Sequence, residues 1–429
     1  MKRLLTLILS AIFLLGMLCC TKPSDIPEFK ASSQPDASAA ETDLPADHYL
    51  TYHEVYNPET DFDNRFGRGS CSLIETEDAY YFASASAEYL YYYDKAVDEY
   101  AVLCGKPECL HDAVSNNTGC NGCINSAGAG AVNYLDGKLY YAGFDTTPPC
   151  YVSIFSMNPD GTEHERLFHC TCDPQQYPGQ GLQLHRGKLY GYAVEDVVED
   201  AEPMQAFRFC CFDLATGEFR QIYERISNSS TSLLKAFYFG KYVYFCDSYQ
   251  DYDAKERGII IDILRWDIEE EKLEYVYRGD GYSGFLYSIW VEAENRIYFA
   301  STHADTENGA KVYCLRDGNV ELALDLGEPG AIRLLDGAVL SFWLPPDAPE
   351  ERRVLITDYD GNVIYRGGWS YEELRRGTEI PRVGVVSVFG DRNTLYMVYH
   401  NGSNRLNYVV KYDLTDPEPE ATLLFVTRS

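Results

Sequence analysis

Apolar residues in this chain come in short alternating runs, and turn-forming residues separate the runs. Alternation of this kind predicts strands that bury one face or both, not helices. The clearest unit is Tyr134-Leu135-Asp136-Gly137-Lys138-Leu139-Tyr140-Tyr141, an apolar stretch, an Asp-Gly step and a second apolar stretch. Asp-Gly accepts the positive φ of a tight hairpin turn, and aromatic or β-branched neighbours suit pleated strands. The same unit recurs at 184–190, 239–245 and 294–299, and in weaker form at 77–82, 335–340 and 390–396. A second signature, a strand running into an Asp-containing turn and a further strand, follows at 209–218, 263–268, 354–361 and 409–414. The repeat pitch of roughly 40 to 60 residues, with about four strands per unit, is that of a propeller blade. The best helical periodicity, at 371–376, is a turn or two long. Regular recurrence of one motif argues against a pair of β-sandwiches. The pattern therefore predicts an all-β chain with a single β-propeller over 48–429. Seven blades are expected from about residue 50 onward, or six if the first copy belongs to a closure strand.

The first 47 residues break this pattern. Met1-Lys2-Arg3 is a short basic region, and an apolar run from Leu4 to Leu18 ends in Cys19-Cys20. The run is short for a bilayer span and reads as a secretory signal over 1–20. An apolar stretch ending in cysteine resembles the lipobox of bacterial lipoproteins, which implies a diacylglycerol anchor on Cys20, or alternatively on Cys19. Residues 21–47 are rich in Pro, Ser, Ala, Asp and Glu and nearly lack large apolar side chains. Such a segment cannot offset its ordering entropy and is expected to be a disordered tether. The expected location is extracytoplasmic, with membrane lipid as the covalent partner.

Charge narrows the range of partners. The chain has 36 Lys+Arg against 66 Asp+Glu, a net charge of −30. That excess argues against nucleic acid, whose phosphates call for clustered cations, and against electrostatic adsorption to anionic lipid. Composition supports the fold prediction, since 36 Tyr and 20 Phe against only 5 Met favour β-structure.

The cysteines hold the most specific candidate chemistry. Cys104, Cys109, Cys120 and Cys123 crowd into one turn-rich stretch with His111. The spacing Cys-x4-Cys-x-His followed by Cys-x2-Cys offers enough soft ligands for a tetrahedral structural zinc, at Cys104, Cys109, His111 and Cys120. Disulfides are the competing expectation for an exported protein, and free thiols a third. Cys150, Cys170 and Cys172 are candidates for a further bridge. Cys210 and Cys211 are adjacent in a strand, so their side chains should point to opposite faces, and they are expected to be core, as are Cys246 and Cys314.

No catalytic or cofactor motif emerges. Nucleophile-elbow, Walker and dinucleotide patterns are missing. His164 and His169 lie five apart, off a common helical face, so the stretch from His164 reads as a turn. The Asp317-Gly318-Asn319 and Asp360-Gly361-Asn362 segments read as hairpin tips, without the spacing of a calcium loop. Tyr-rich runs serve either as core or as a stacking platform for sugar rings. Tyr89 to Tyr93 reads as core, whereas Tyr249 and Tyr252, beside Asp251 and Asp253, are candidate ligand-binding residues.

The repeats, with the segment Leu103-Cys104-Gly105-Lys106-Pro107-Glu108-Cys109-Leu110-His111-Asp112, resemble the YWTD-like and related propellers of uncharacterised lipoproteins from anaerobic Firmicutes. The resemblance implies a fold and a location but no activity, and YWTD itself does not occur. The leading functional expectation is a non-catalytic, surface-tethered module binding a glycan, a peptide or an envelope protein. Its loops at 104–123, 247–257 and 302–308 are candidates to present the ligand surface. The alternative is an extracytoplasmic carbohydrate-active hydrolase or lyase using carboxylates at the central channel.

Overall fold

The computed structural model describes residues 49–67, 71–84, 88–111, 119–124, 132–144, 152–169, 180–199, 202–227, 232–250, 258–282, 284–301, 311–326, 330–343, 353–368 and 383–428. They form a seven-bladed, all-β propeller. Seven four-stranded antiparallel sheets span 71–102, 132–169, 180–227, 232–282, 286–325, 331–368 and 383–428, and are numbered blades 1 to 7 in that order. Each sheet is a meander of four consecutive strands. All seven copies of the first sequence motif are the hairpins joining the first and second strands of a blade. The turn chemistry is as expected: Asp136 and Gly137 have φ of 48° and 72°, and Arg186 and Gly187 have 49° and 71°. Two consecutive left-handed residues make the primed turn that matches strand twist.

Burial follows position within the blade. Second strands lie between neighbouring sheets on both faces, so Ala79–Ser84, Arg296–Ser301 and Thr394–Asn401 are nearly all buried. Fourth strands keep one face in water and alternate, as in Phe219–Ser227. Cys210, Cys211, Cys246 and Cys314 are buried core residues. Tyr89, Leu90 and Tyr93 are buried as well. First strands of successive blades touch along the channel in blades 1 to 3 and again in blades 4 to 7. Small polar side chains stitch them together: Val132 N–H donates to Ser72 Oγ at 3.2 Å, Leu184 N–H to Asn133 Oδ1 at 2.9 Å, and Leu334 N–H to Ser288 Oγ at 3.0 Å.

Blade 1 opens at Cys71, some twenty residues later than the repeat pattern suggested, and its first hairpin belongs to a complete sheet. Residues 49–67 instead form a strap. A helical turn (Tyr52–Val55) and a 3-10 turn (Asn64–Phe66) are its only regular pieces. Its partners are the inner hairpins of blades 3 to 7. Arg186 N–H donates to Thr60 O, Glu294 N–H donates to Leu50 O, His53 meets Asp336, and Arg65 meets Asp391. The strap fills the places where inner strands part: its 3-10 turn lies against the first strands of blades 7 and 1. Asn64 is buried and makes a paired bond with blade 4, Nδ2 donating to Tyr238 O at 2.6 Å and Oδ1 accepting from Tyr238 N at 2.9 Å. Asn64→Ala removes both of these bonds to the buried blade 4 backbone. It is expected to cost about 2 kcal/mol in a urea titration, with the denaturant slope unchanged.

Among the described residues, the outer part of the ring closes between blades 7 and 1 through side-chain packing. Phe82 stacks on Phe425 with centroids 5.5 Å apart, Tyr80 meets Tyr396 edge-on at 5.7 Å, and Leu73, Val398, Val409 and Leu424 complete the cluster.

Candidate functional site

Two places gather functional groups. The first is the connection between blades 1 and 2. Its limb 103–111 turns back at Lys106, where Cys109 N–H donates to Lys106 O at 3.1 Å. The second limb, 119–124, is paired to residues ahead of the third strand of blade 1: Leu90 N–H donates to Gly122 O at 2.8 Å and Ile124 N–H to Glu88 O at 2.9 Å. Lys106 Nζ donates to Gly119 O and links the limbs. The fit is tight. A Cβ on Gly122 would lie 2.6 Å from Val102 Cγ1 and 3.0 Å from Leu103 O, so only glycine is accommodated.

This scaffold brings Cys104, Cys109, His111 and Cys120 together, their ligand atoms all within 4.8 Å of one another. Cys123 lies outside the group; its backbone bridges Tyr89. His111 holds a left-handed φ of 50°, and Tyr89 meets its ring edge-on at 6.2 Å. Burial opposes ionisation of Cys104, but hydrogen bonds from His111 and the backbone of Lys106 and Asn121 bring its thiol down to about 6. Burial and the neighbouring Cys109 and Cys104 thiols push Cys120 up to about 12. Three thiols and an imidazole at this spacing can hold a single soft metal ion.

The second place is the channel mouth under the strap. The strap covers the inner hairpins of blades 3 to 7 and leaves the sector over blades 1 and 2, where a cavity of about 350 Å³ opens. Tyr56, Phe62 and Phe66 line it from the strap; Glu75, Glu77 and Tyr134 line it from blades 1 and 2. Several charges around it are already committed: Arg186 Nε is 2.8 Å from Asp61, Arg65 lies between Asp63 (2.7 Å) and Asp391 (3.1 Å), and Lys95 is 3.1 Å from Glu75. Behind the cavity His185 is fully buried, its Nδ1 accepting from Phe62 N–H at 3.1 Å and its Nε2 donating to Gly240 O at 2.7 Å. Burial is the main cause that lowers His185 from 6.5 to about 4.

Tyr249 belongs to neither place. The Arg225 guanidinium of blade 3 lies 4.0 Å from its ring centroid, and its hydroxyl faces Asp262 and Arg278. Arg225 also binds Asp247 at 2.5 Å, so these side chains form an ionic layer between blades 3 and 4. His164 sits on an exposed turn, its Nδ1 2.9 Å from the Tyr141 hydroxyl. Tyr252, Cys150, Cys170, Cys172, the 302–308 loop, the 371–376 stretch and everything ahead of Tyr49, Cys19 and Cys20 included, lie outside the described residues. Sequence reasoning missed the strap's contribution to the cavity. Its signal was the run of aromatics Tyr49, Tyr52, Tyr56, Phe62 and Phe66 directly after the polar spacer.

No family model and no curated protein matches this chain. Among solved structures it is similar to an acylaminoacyl peptidase from Pyrococcus horikoshii, with 12% identity and a TM-score of 0.49 over 86% of this chain and 54% of that one. The chain thus spans about half the length of that peptidase. It is also similar to an oligogalacturonate lyase solved with manganese (11% identity, TM-score 0.41, covering 89% of this chain and 90% of that one). A third likeness is the β-propeller domain of the Trilobed protease from Pyrococcus furiosus, described as having an open velcro topology (12% identity, TM-score 0.44, 82% and 97% covered). At such identities the likeness concerns the fold alone.

Proposed function

We propose that this propeller is a non-catalytic binding module, tethered through a lipid on Cys20, whose ligand seats in the cavity between the strap and blades 1 and 2. The observation that supports binding over hydrolysis is the state of the cavity's carboxylates. Of the four that line it, Asp61, Asp63 and Glu75 are each paired with a cation, which fixes them as charge partners and leaves Glu77 as the fourth. A general acid and base need pKa values set apart and free access to the reacting atoms. The aromatic lining from Tyr56, Phe62, Phe66 and Tyr134 suits the C–H faces of a sugar or the side chains of a short peptide. The tether, in this reading, holds the module at the outer surface of a membrane.

The test is a thermal-shift screen of the full chain against chito-, cello- and malto-oligosaccharides and short peptides. A ligand at 100 times its dissociation constant adds about 2.7 kcal/mol and a clear rise in melting temperature. Tyr134→Ala, at a half-exposed cavity position, should abolish that rise without lowering the melting temperature of the free protein. A shift that survives Tyr134→Ala and Glu77→Gln places the ligand elsewhere. Conversion of the hit to product would replace the binding reading with the enzymatic one.

A further inference from the structure

We infer that Cys104, Cys109, His111 and Cys120 bind one Zn²⁺ in a closed tetrahedral site that clamps together the two limbs of the blade 1–2 connection. This inference is independent of what the cavity binds. It starts from distance. Zinc–sulfur bonds of about 2.3 Å and zinc–nitrogen bonds of about 2.0 Å set ligand–ligand edges of about 3.6 to 3.8 Å in a tetrahedron. The four ligand atoms already lie within 4.8 Å of one another, so contraction by about 1 Å closes the site. A disulfide instead requires two sulfurs at about 2.05 Å and uses neither the third thiol nor the imidazole.

The imidazole is the second, independent observation. His111 Nε2 is buried and has no hydrogen-bond partner, a state that costs free energy unless something fills its lone pair or takes its proton. The backbone at His111 is in the left-handed region, which a residue with a Cβ adopts at a cost. Both costs become intelligible if the ring is held for a ligand.

The third observation is preorganisation. The limbs are fixed before any ion arrives, by the pairing of 122 and 124 to 88–90, by the Lys106–Gly119 bond and by the close packing around Gly122. Cys123, the second member of the Cys-x2-Cys pair, lies outside the group of ligand atoms within 4.8 Å of one another. Three thiols and one imidazole then give a site with no open position, which is the coordination of a structural zinc and not of a catalytic one. Binding displaces the protons of whichever thiols are still protonated into solvent and leaves a complex of charge −1: one Zn²⁺ against three thiolates, with a neutral imidazole.

The experiment uses the full chain, purified in detergent under oxygen-free conditions without added reductant from cells grown with both zinc and iron. Metal analysis should give one zinc per chain. Cys109→Ser and His111→Ala should each lower that content about tenfold. Cys123→Ser should leave it unchanged. His111→Cys should retain the metal, and after replacement by Co²⁺ it should show stronger thiolate-to-metal absorption than the wild type. Circular dichroism and melting curves separate loss of the ion from loss of the fold. The inference is overturned by iron in place of zinc, by zinc that survives Cys109→Ser, or by a metal-free chain whose non-reduced mass falls by the hydrogens of a disulfide among these cysteines.

Discussion

Phe425→Ala is expected to destabilise the propeller by about 4 kcal/mol, within the range for deleting a fully buried aromatic ring. Phe425 has no exposed surface, and its ring touches Phe82, Tyr93 and Tyr100 of blade 1, with centroids 5.5 to 6.1 Å away. The magnitude is large because of where the ring sits. Every other blade boundary joins neighbours in sequence, which stay close when packing loosens. Blades 7 and 1 are the two ends of the ring, and among the described residues no strand of one pairs into the sheet of the other. A cavity at this seam therefore weakens the contact that holds distant parts of the chain together. The measurement is urea unfolding of the wild type, Phe425→Ala and Phe425→Leu. Leucine should recover more than half of the loss, since it refills most of the volume. A loss below about 1 kcal/mol for the alanine variant would show that the strap alone closes the ring.

The second large effect is on acid stability and turns on His185. In the folded chain this imidazole is held neutral: Nε2–H donates to Gly240 O, Nδ1 accepts from Phe62 N–H, and burial lowers its pKa from 6.5 to about 4. Between those two values the unfolded chain binds the proton and the folded chain does not, so stability rises with pH across that window. His185 therefore contributes its full stabilisation above pH 6.5 and loses it as the pH falls towards 4, a change of about 3 kcal/mol. Acidification also relieves the self-repulsion of a chain with net charge −30, so the wild-type curve alone mixes two effects. The comparison that isolates the histidine is His185→Gln, which can still donate to Gly240 O but does not titrate. The stability difference between wild type and variant, measured by urea at pH 7 and pH 4.5, should shift by at least 2 kcal/mol in favour of the variant at the lower pH. Parallel pH dependence in the two proteins would mean that folding leaves the pKa of His185 unshifted.

The blades were legible in the sequence because each inner hairpin is a tight turn between two apolar strands, and in blade 2 Asp136-Gly137 supplies its two left-handed residues in local chemistry. The strap was not. His185, Tyr238, Trp290 and Asp391, against which 51–66 is fixed, lie more than a hundred residues downstream. A segment without repeat or periodicity gives no sign of partners so remote. Tyr249 shows the same limit at one residue. Next to the acidic 251–253 stretch it reads as a stacking surface, but one face of its ring lies on Arg225, contributed by the neighbouring blade. For the cysteines, spacing supplied the zinc set Cys104, Cys109, His111 and Cys120, and the same four ligand atoms lie together in the fold. The choice between metal and disulfide was not legible, because it depends on how closely the backbone path brings the sulfurs together.

Contiguous blades also set the order in which the chain can assemble. Each sheet uses residues close in sequence, so a chain synthesised from its N-terminus can complete one sheet as soon as the fourth strand is available. The strap is made first and must wait. Arg65 meets Asp391 across 326 positions, and Lys411 reaches the Tyr80 hydroxyl across 331. Docking of the earliest folded residues can begin on blades 3 to 6, but it is complete only when the seventh sheet supplies Asp391. A chain truncated before residue 383 would hold six finished sheets and a strap whose Arg65 lacks Asp391, so the strap's last contact registers whether the ring is complete.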